Sequence, residues 1–252
     1  MSEEIKAGKV TLLGAGPGDL DLLTRKAVKA LALADILLLD DLVNQEIALL
    51  APNARTIHVG KRGGCKSTPQ DFIQRLARRY ALQGKHVVRV KGGEALVFGR
   101  AGEEIAYLRR AGINIELCNG ISSGLAAAAS LGISLTHRAY AQGVTLVTAH
   151  TQGDLEPDWS ALAATKTTLV IYMGMSRVSQ IATGLLKTLD EDTPVAVVQA
   201  ASSINERRLL TSLGRLIMDV AAADLGSPAI ILVGNAICEA DEWRDSNITL
   251  AA

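Results

Sequence analysis

The chain has 252 residues, 48% of them apolar, and Lys plus Arg balances Asp plus Glu at 26 each. That length and apolar content support a buried core in one large domain or two small ones and exclude a disordered chain. The most apolar runs, Ile36 to Leu39 and Thr168 to Met173, fall far short of the ~18 consecutive apolar residues of a membrane span.

The segment Met1 to Lys9 is charged and carries no apolar stretch, so a cytoplasmic location is expected. Cys65, Cys118 and Cys238 are odd in number and show no C-x-x-C spacing, which argues against a disulfide framework or a thiolate metal site. His58, His86, His137 and His150 lack ligand spacing, so no metal is expected. The zero net charge hides an uneven distribution. Between Arg55 and Arg110 stand thirteen Lys and Arg against four Asp and Glu. Most of that excess reads as solvated helix face, but it also suits a polyanionic ligand. With only 3% aromatic residues, the chain has few rings for stacking bases, so a small polyanion is a better fit than nucleic acid.

In chain order, short β-branched and Leu-rich runs alternate with longer amphipathic segments, the pattern of an α/β protein with a parallel sheet. Val10 to Gly14, Ile36 to Asp40, Thr56 to Val59, Val87 to Lys91 and Ile113 to Leu117 read as buried strands. After the first comes a helix through Leu22, Leu23, Ala27, Ala30 and Leu31, with Asp19 or Asp21 as its cap. Pro69 to Leu82 reads as a second helix, capped by Ser67 or Thr68 and left through Gly84. The small-residue segment Gly120 to Leu131 is a closely packed helix, and Gly132 to Gly143 reads as a linker. The domain boundary is placed there, giving an N-terminal α/β domain over 1–135 and a C-terminal one over 136–252. The second half repeats the alternation with strands at Val144 to Thr148, Thr168 to Met173, Val195 to Val198 and Ala229 to Val233. Arg207 to Thr211 suits an antiparallel strand of a mixed sheet.

Four strand ends carry the chemistry. Gly14-Ala15-Gly16-Pro17-Gly18-Asp19 joins the first strand to the first helix, where α/β folds present backbone amides to ligands. It departs from the dinucleotide fingerprint because Asp19 stands where a third glycine belongs and Pro17 lacks an amide. Lys91 to Arg100, KGGEALVFGR, follows the fourth strand, and its paired glycines permit close backbone approach. Asp40 and Gly60-Lys61-Arg62 stand at the ends of the second and third strands, so four strand ends point to one crevice. Ser122 and Ser123 lack the G-x-S-x-G elbow of a hydrolase. Met173, after an apolar strand, reads on its own as core filler.

The order GAGPGD, DDLV, VGKR, KGGEALVFGR, GIS, LTHR and YMG resembles the tetrapyrrole methylase family along nearly the whole chain, and within it the members that methylate uroporphyrinogen III. The resemblance implies two α/β domains with a cofactor cleft between them, and a homodimer. It implies S-adenosyl-L-methionine as methyl donor, S-adenosyl-L-homocysteine as by-product, and C-methylation of two pyrrole carbons of uroporphyrinogen III to give precorrin-2, on routes to sirohaem, cobalamin or haem d1. Pro17, Gly92, Gly93, Glu94, Val97, Ser122, Ser123, Met173 and Ala201 match positions around the cofactor. Asp40 matches a proton acceptor, Lys61 a proton donor and Arg100 a substrate-site arginine; which of Asp40 and Lys61 moves the proton is left open. The family favours Asp-Pro at Glu94-Ala95, proline at Asn119, threonine at Ser122 and glycine at Ala201. No NAD-binding segment stands before Gly8, so the expected product is methylated and neither oxidised nor metallated. Three other readings remain: a methylase of another tetrapyrrole precursor, a silent S-adenosylmethionine-binding relative, and a nicotinamide-dependent oxidoreductase with Asp40 on a ribose.

Overall fold

The computed structural model of the chain describes residues 8–60, 68–150, 155–241 and 243. By contact the chain divides into two compact units, Met1–Ser122 and Ser123–Ala252. Among the described residues, no helix is long and apolar enough to cross a membrane.

The first unit runs β1 (Lys9–Gly14), α1 (Arg25–Ala32), β2 (Ile36–Leu39), β3 (Arg55–His58), α2 (Gln70–Leu82), β4 (His86–Lys91), α3 (Ala101–Arg110) and β5 (Asn114–Cys118). All five strands are parallel, in the order β3-β2-β4-β1-β5. Alternation along each strand divides the side chains between two faces. Leu13, Leu37, Leu39, Val88 and Val90 pack with Ala27 and Leu31 of α1 and with Ile47 of a 3-10 turn. Val10, Leu12, Ile36, Leu38 and Val87 pack with Ile73, Ala77 and Ala81 of α2 and Leu108 of α3. Covering both faces is what lets the inner strands be largely apolar, β2 (ILLL) throughout, whereas the edge strands β3 and β5 carry Arg55, His58, Asn114 and Glu116.

The strands lie where the apolar runs predict them, but the helix caps differ. Asp19 accepts from the Asp21 amide and caps only a one-turn 3-10 helix at Leu20–Leu22. Thr24 caps α1, its Oγ1 accepting from the Ala27 amide at 3.1 Å. α2 has Pro69 at its cap position and no side-chain cap, because the Thr68 hydroxyl donates to the Gly60 carbonyl instead. Ser67, the alternative cap, lies outside the described residues.

The second unit runs α4 (Ser123–Ser130), β6 (Val144–Thr148), α5 (Trp159–Ala164), β7 (Thr168–Tyr172), α6 (Val178–Leu185), β8 (Pro194–Gln199), β9 (Arg207–Ser212), α7 (Leu216–Ala222) and β10 (Ala229–Val233). Its sheet has the order β6-β7-β10-β8-β9. Only β6 and β7 pair in parallel; β10 is antiparallel to both β7 and β8, and β9 to β8. The antiparallel β9 follows the sequence reading, whereas the reversal of β10 does not show in periodicity. Leu169, Ile171, Val195, Val197, Ile231 and Val233 meet α5, α6 and α7 in one core. α4 packs on β7 and β10, on the face that carries Val170. Gly124 makes this approach possible, since a Cβ there would strike Val170 and Tyr172. The contact division therefore falls before α4, while the sequence reading draws its boundary after it.

His86 opens β4 half-buried, its ring between the Thr11 hydroxyl at 2.8 Å and the Leu33 carbonyl at 3.0 Å. Burial lowers its pKa below the ordinary value of 6.5, against an opposing contribution from the Leu33 carbonyl. Protons therefore bind the unfolded chain more tightly than the folded one. The stability His86 contributes is fully present above the unfolded value and is lost as pH falls through the folded one. The urea midpoint is expected to fall between pH 7 and about 5, before carboxylates titrate, and to fall less in His86→Gln; equal slopes for the two proteins would contradict this.

Candidate active site

Because the first sheet is fully parallel, the C-terminal ends of its strands share one edge, where the loops of an α/β sheet present ligands. Across that edge stand Gly60, Asp40, the Gly92-Gly93 pair, Gly14 and Gly120, at or just past the ends of β3, β2, β4, β1 and β5. The three central loops meet backbone on backbone. The Ala15 amide donates to the Lys91 carbonyl at 2.8 Å, and Gly16 and Gly93 exchange two hydrogen bonds, at 2.7 and 3.1 Å. A Cβ on Gly14 would lie 2.7 Å from the Gly93 carbonyl oxygen and from the Gly120 nitrogen, and a Cβ on Gly120 would strike the Gly93 and Gly14 carbonyls. Glycine at 14 and 120 is thus a steric requirement. At Gly93 (φ 65°) it suits a left-handed backbone.

Glu94 ties this junction together. One carboxylate oxygen accepts from the Gly120 amide at 2.9 Å and the other from the Leu96 amide at 3.0 Å. A charged acceptor on two backbone donors is among the stronger hydrogen-bond arrangements. Both oxygens of this expected cofactor residue are therefore engaged by the loops themselves. The rest of the loop is strained, with Phe98 and Arg100 left-handed at φ 51° and 57° on either side of Gly99. Such conformations cost non-glycine residues on the order of 1–3 kcal/mol each and gather at functional loops. Pro17 and Val97 are partly buried in the same pair of loops, and Ser122 is buried just beyond Gly120.

Asp40 stands at the end of β2, its side chain 34% exposed, with Oδ2 on Arg89 Nη2 at 2.8 Å and Oδ1 on the Asp41 amide at 2.9 Å. Behind it lies a charge cluster with no counterpart in the sequence reading. Arg89, in the middle of β4, is 2% exposed; its Nη1 donates to the Val90 carbonyl at 2.9 Å, and its Nε stands 3.7 Å from Glu104 of α3. Lys91 Nζ donates to the same Glu104 oxygen at 3.0 Å, and Gln70 of α2 donates to it as well. Burial lowers the Lys91 pKa below the ordinary lysine range, as does the Arg89 cation, against opposition from Glu104. The available signal was Arg89 itself: a charge facing inward in an otherwise apolar strand needs a buried partner.

Arg100 stands at the cap position before α3 with its side chain exposed, gripping Glu103 through Nε at 2.9 Å and Nη2 at 2.6 Å. That hydrogen bond to Glu103 raises its pKa further above the ordinary arginine value. Lys61 lies outside the described residues.

In the second unit, β7 and β8 both run antiparallel to β10, so their C-terminal ends also share an edge. Met173 follows β7 with φ 55° and is 45% exposed, which excludes the core-filler alternative. Ala201 follows β8, buried between the left-handed Ala200 (φ 50°) and Ser202 (φ 59°). Ser123 begins α4 beside Gly124, whose amide donates to the Tyr172 hydroxyl at 3.2 Å. The three expected residues of this unit thus gather at one sheet edge, on strained backbone at β7 and β8.

The profile of the Tetrapyrrole (Corrin/Porphyrin) Methylases matches residues 9–217. The chain belongs to that family. It is 55% identical to the uroporphyrinogen-III C-methyltransferase of Pseudomonas aeruginosa over 90% of its own length and 94% of that protein. It is 45% identical to the Pseudomonas fluorescens enzyme of the same name, over 98% and 99% of the two chains. Among solved structures, the uroporphyrin-III C-methyltransferase of Thermus thermophilus complexed with S-adenyl homocysteine aligns with a TM-score of 0.79 at 38% identity, covering 91% of this chain and 99% of that one.

In this tetrapyrrole methylase the glycine junction and its glutamate clamp are expected to act as one unit. Glu94→Ala leaves the part-buried Gly120 amide without its acceptor and is expected to cost about 1 kcal/mol, and Gly120→Ala about 1–3 kcal/mol through overpacking. In urea unfolding the double variant should lose less than the sum of the two; strictly additive losses would show that the clamp and the junction are independent.

Proposed function

We propose that this protein transfers methyl groups from S-adenosylmethionine to two pyrrole carbons of uroporphyrinogen III, giving precorrin-2 and S-adenosylhomocysteine. The observation that carries the reading is the near full-length match, at 55% identity, to a uroporphyrinogen-III C-methyltransferase. Geometry supports it: glycine-lined strand ends carry matched cofactor positions, and Asp40 stands partly exposed at the same edge of the first sheet. The protein acts in the cytoplasm as a homodimer.

S-adenosylmethionine supplies an electrophilic methyl group on a sulfonium. Gly92, Gly93, Val97, Pro17 and Ser122 would hold the donor at the edge of the first sheet, where Glu94 serves by shaping the loop; Ser123, Met173 and Ala201 are matched donor positions as well. As a pyrrole carbon attacks the methyl group, a carbon–carbon bond forms, the carbon–sulfur bond breaks and the sulfur becomes neutral. The ring system then carries a positive charge and must lose a proton, which Asp40 or Lys61 handles. The substrate carries eight carboxylates, and Arg100 takes one of them in place of, or beside, Glu103. Positioning supplies most of the remaining acceleration.

Anaerobic incubation with uroporphyrinogen III and S-adenosylmethionine should yield a product heavier by two methyl groups, neither oxidised nor metallated; an unmethylated substrate would refute the reading. Gly93→Val should abolish donor binding in calorimetry, because a branched residue strongly disfavours φ 65°. Arg100→Ala should chiefly raise KM, with a loss of about 2–5 kcal/mol if the carboxylate it meets is buried. Asp40→Asn should lower kcat by roughly 10² to 10⁴ while sparing donor affinity. An Asp40→Asn enzyme with the parent kcat would remove Asp40 from the chemistry.

A further inference from the structure

We propose that Arg89 is a positioning residue for the methyl-transfer reaction: it holds the Asp40 carboxylate in place at the strand edge, and Glu104, backed by Lys91 and Gln70, holds Arg89. This rests on the assignment of Asp40 to the chemistry. Four charges form one balanced cluster, two cations and two carboxylates. Arg89, Lys91 and Glu104 have side chains at most 8% exposed, whereas Asp40 is 34% exposed. Asp40 is therefore the one member able to meet a ligand.

Both Asp40 oxygens already have a fixed donor, so the carboxylate has one orientation and keeps its remaining lone pairs for a reacting group. Arg89 is fixed in turn by the Val90 carbonyl. Its Nε is buried without a hydrogen bond, facing Glu104 at 3.7 Å. Stability does not account for such a cluster, since buried ion pairs are generally matched or bettered by apolar residues of similar volume. An orphaned guanidinium nitrogen beneath a partly exposed carboxylate is instead what results when orientation of that carboxylate is the property retained.

The test is a double-mutant cycle read in kcat, KM and the affinity for S-adenosylhomocysteine. Arg89→Met is expected to lower kcat about 100-fold and Arg89→Lys, which keeps the buried charge but loses the fork, about 10-fold. KM and S-adenosylhomocysteine affinity should stay within about threefold of the parent in both. In the Asp40→Asn background either change should lower kcat by less than about twofold more, because Arg89 acts through Asp40. Should Arg89→Met fail to fold, the cycle with Arg89→Lys decides. Losses that multiply in the double variant, a parent-level kcat in Arg89→Lys and Arg89→Met, or a loss confined to cofactor affinity would each overturn the proposal. A parent enzyme that leaves uroporphyrinogen III unmethylated is a different failure, seen before any variant is made, and it strikes the functional reading.

Discussion

The first unit depends on the approach of three backbone segments that tolerate no side chain between them. At Gly14, Gly93 and Gly120 the ends of β1, β4 and β5 touch through carbonyls and amides. Because β1 lies between β4 and β5, the contact closes the centre of the sheet edge. Any Cβ at Gly14 or Gly120 would separate those loops and shift Glu94, whose two oxygens bind across the junction. The strain at Phe98 and Arg100 is tolerable only because the start of the loop is anchored so firmly.

Beside this glycine junction lies the cluster of Arg89, Lys91, Glu104 and Asp40, and the two are joined through β4. Val90 packs on the α1 side of the sheet, while Arg89 faces α2 and α3. The Lys91 stem runs beneath Gly99, where a Cβ would stand 3.1 Å from Lys91 Cε. Residues 89–93 therefore serve two ends. Their carbonyls and amides shape the glycine loop, and their side chains support Asp40 on β2. A division between cofactor residues and proton-handling residues fits the sequence better than it fits the packing.

Much of this architecture was legible in the sequence. Short runs of four to six residues, most of them β-branched or Leu-rich, locate the strands of the described residues within a residue or two at either end, because the inner strands of a covered sheet need apolar side chains on both faces. Periodicity carries no information on strand direction, so β10 gave no sign of running against its neighbours. The α1 cap was misread because Asp19 and Asp21 look as suitable as Thr24, and an intervening 3-10 turn takes Asp19. Motif position located Asp40, the Gly92-Gly93 pair and Met173 at strand ends, where the structure has them. It gave no view of Gly120 as a packing partner of Gly14 or of Glu104 as a buried acid, since both depend on contacts distant in sequence. Glu104 reads in sequence as one more solvated helix acid beside Glu103, yet it is 2% exposed.

We propose that the glycine junction at the first sheet's edge holds the methyl donor, and hydrogen exchange followed by mass spectrometry distinguishes this from binding elsewhere. With saturating S-adenosylhomocysteine, amides in peptides spanning 14–19, 92–100 and 119–122 are predicted to exchange more slowly than in the free protein. The surface groove of the second unit between Asp158 and Lys187 should exchange at an unchanged rate. Protection at that groove, with none in the three strand-end loops, would contradict the account.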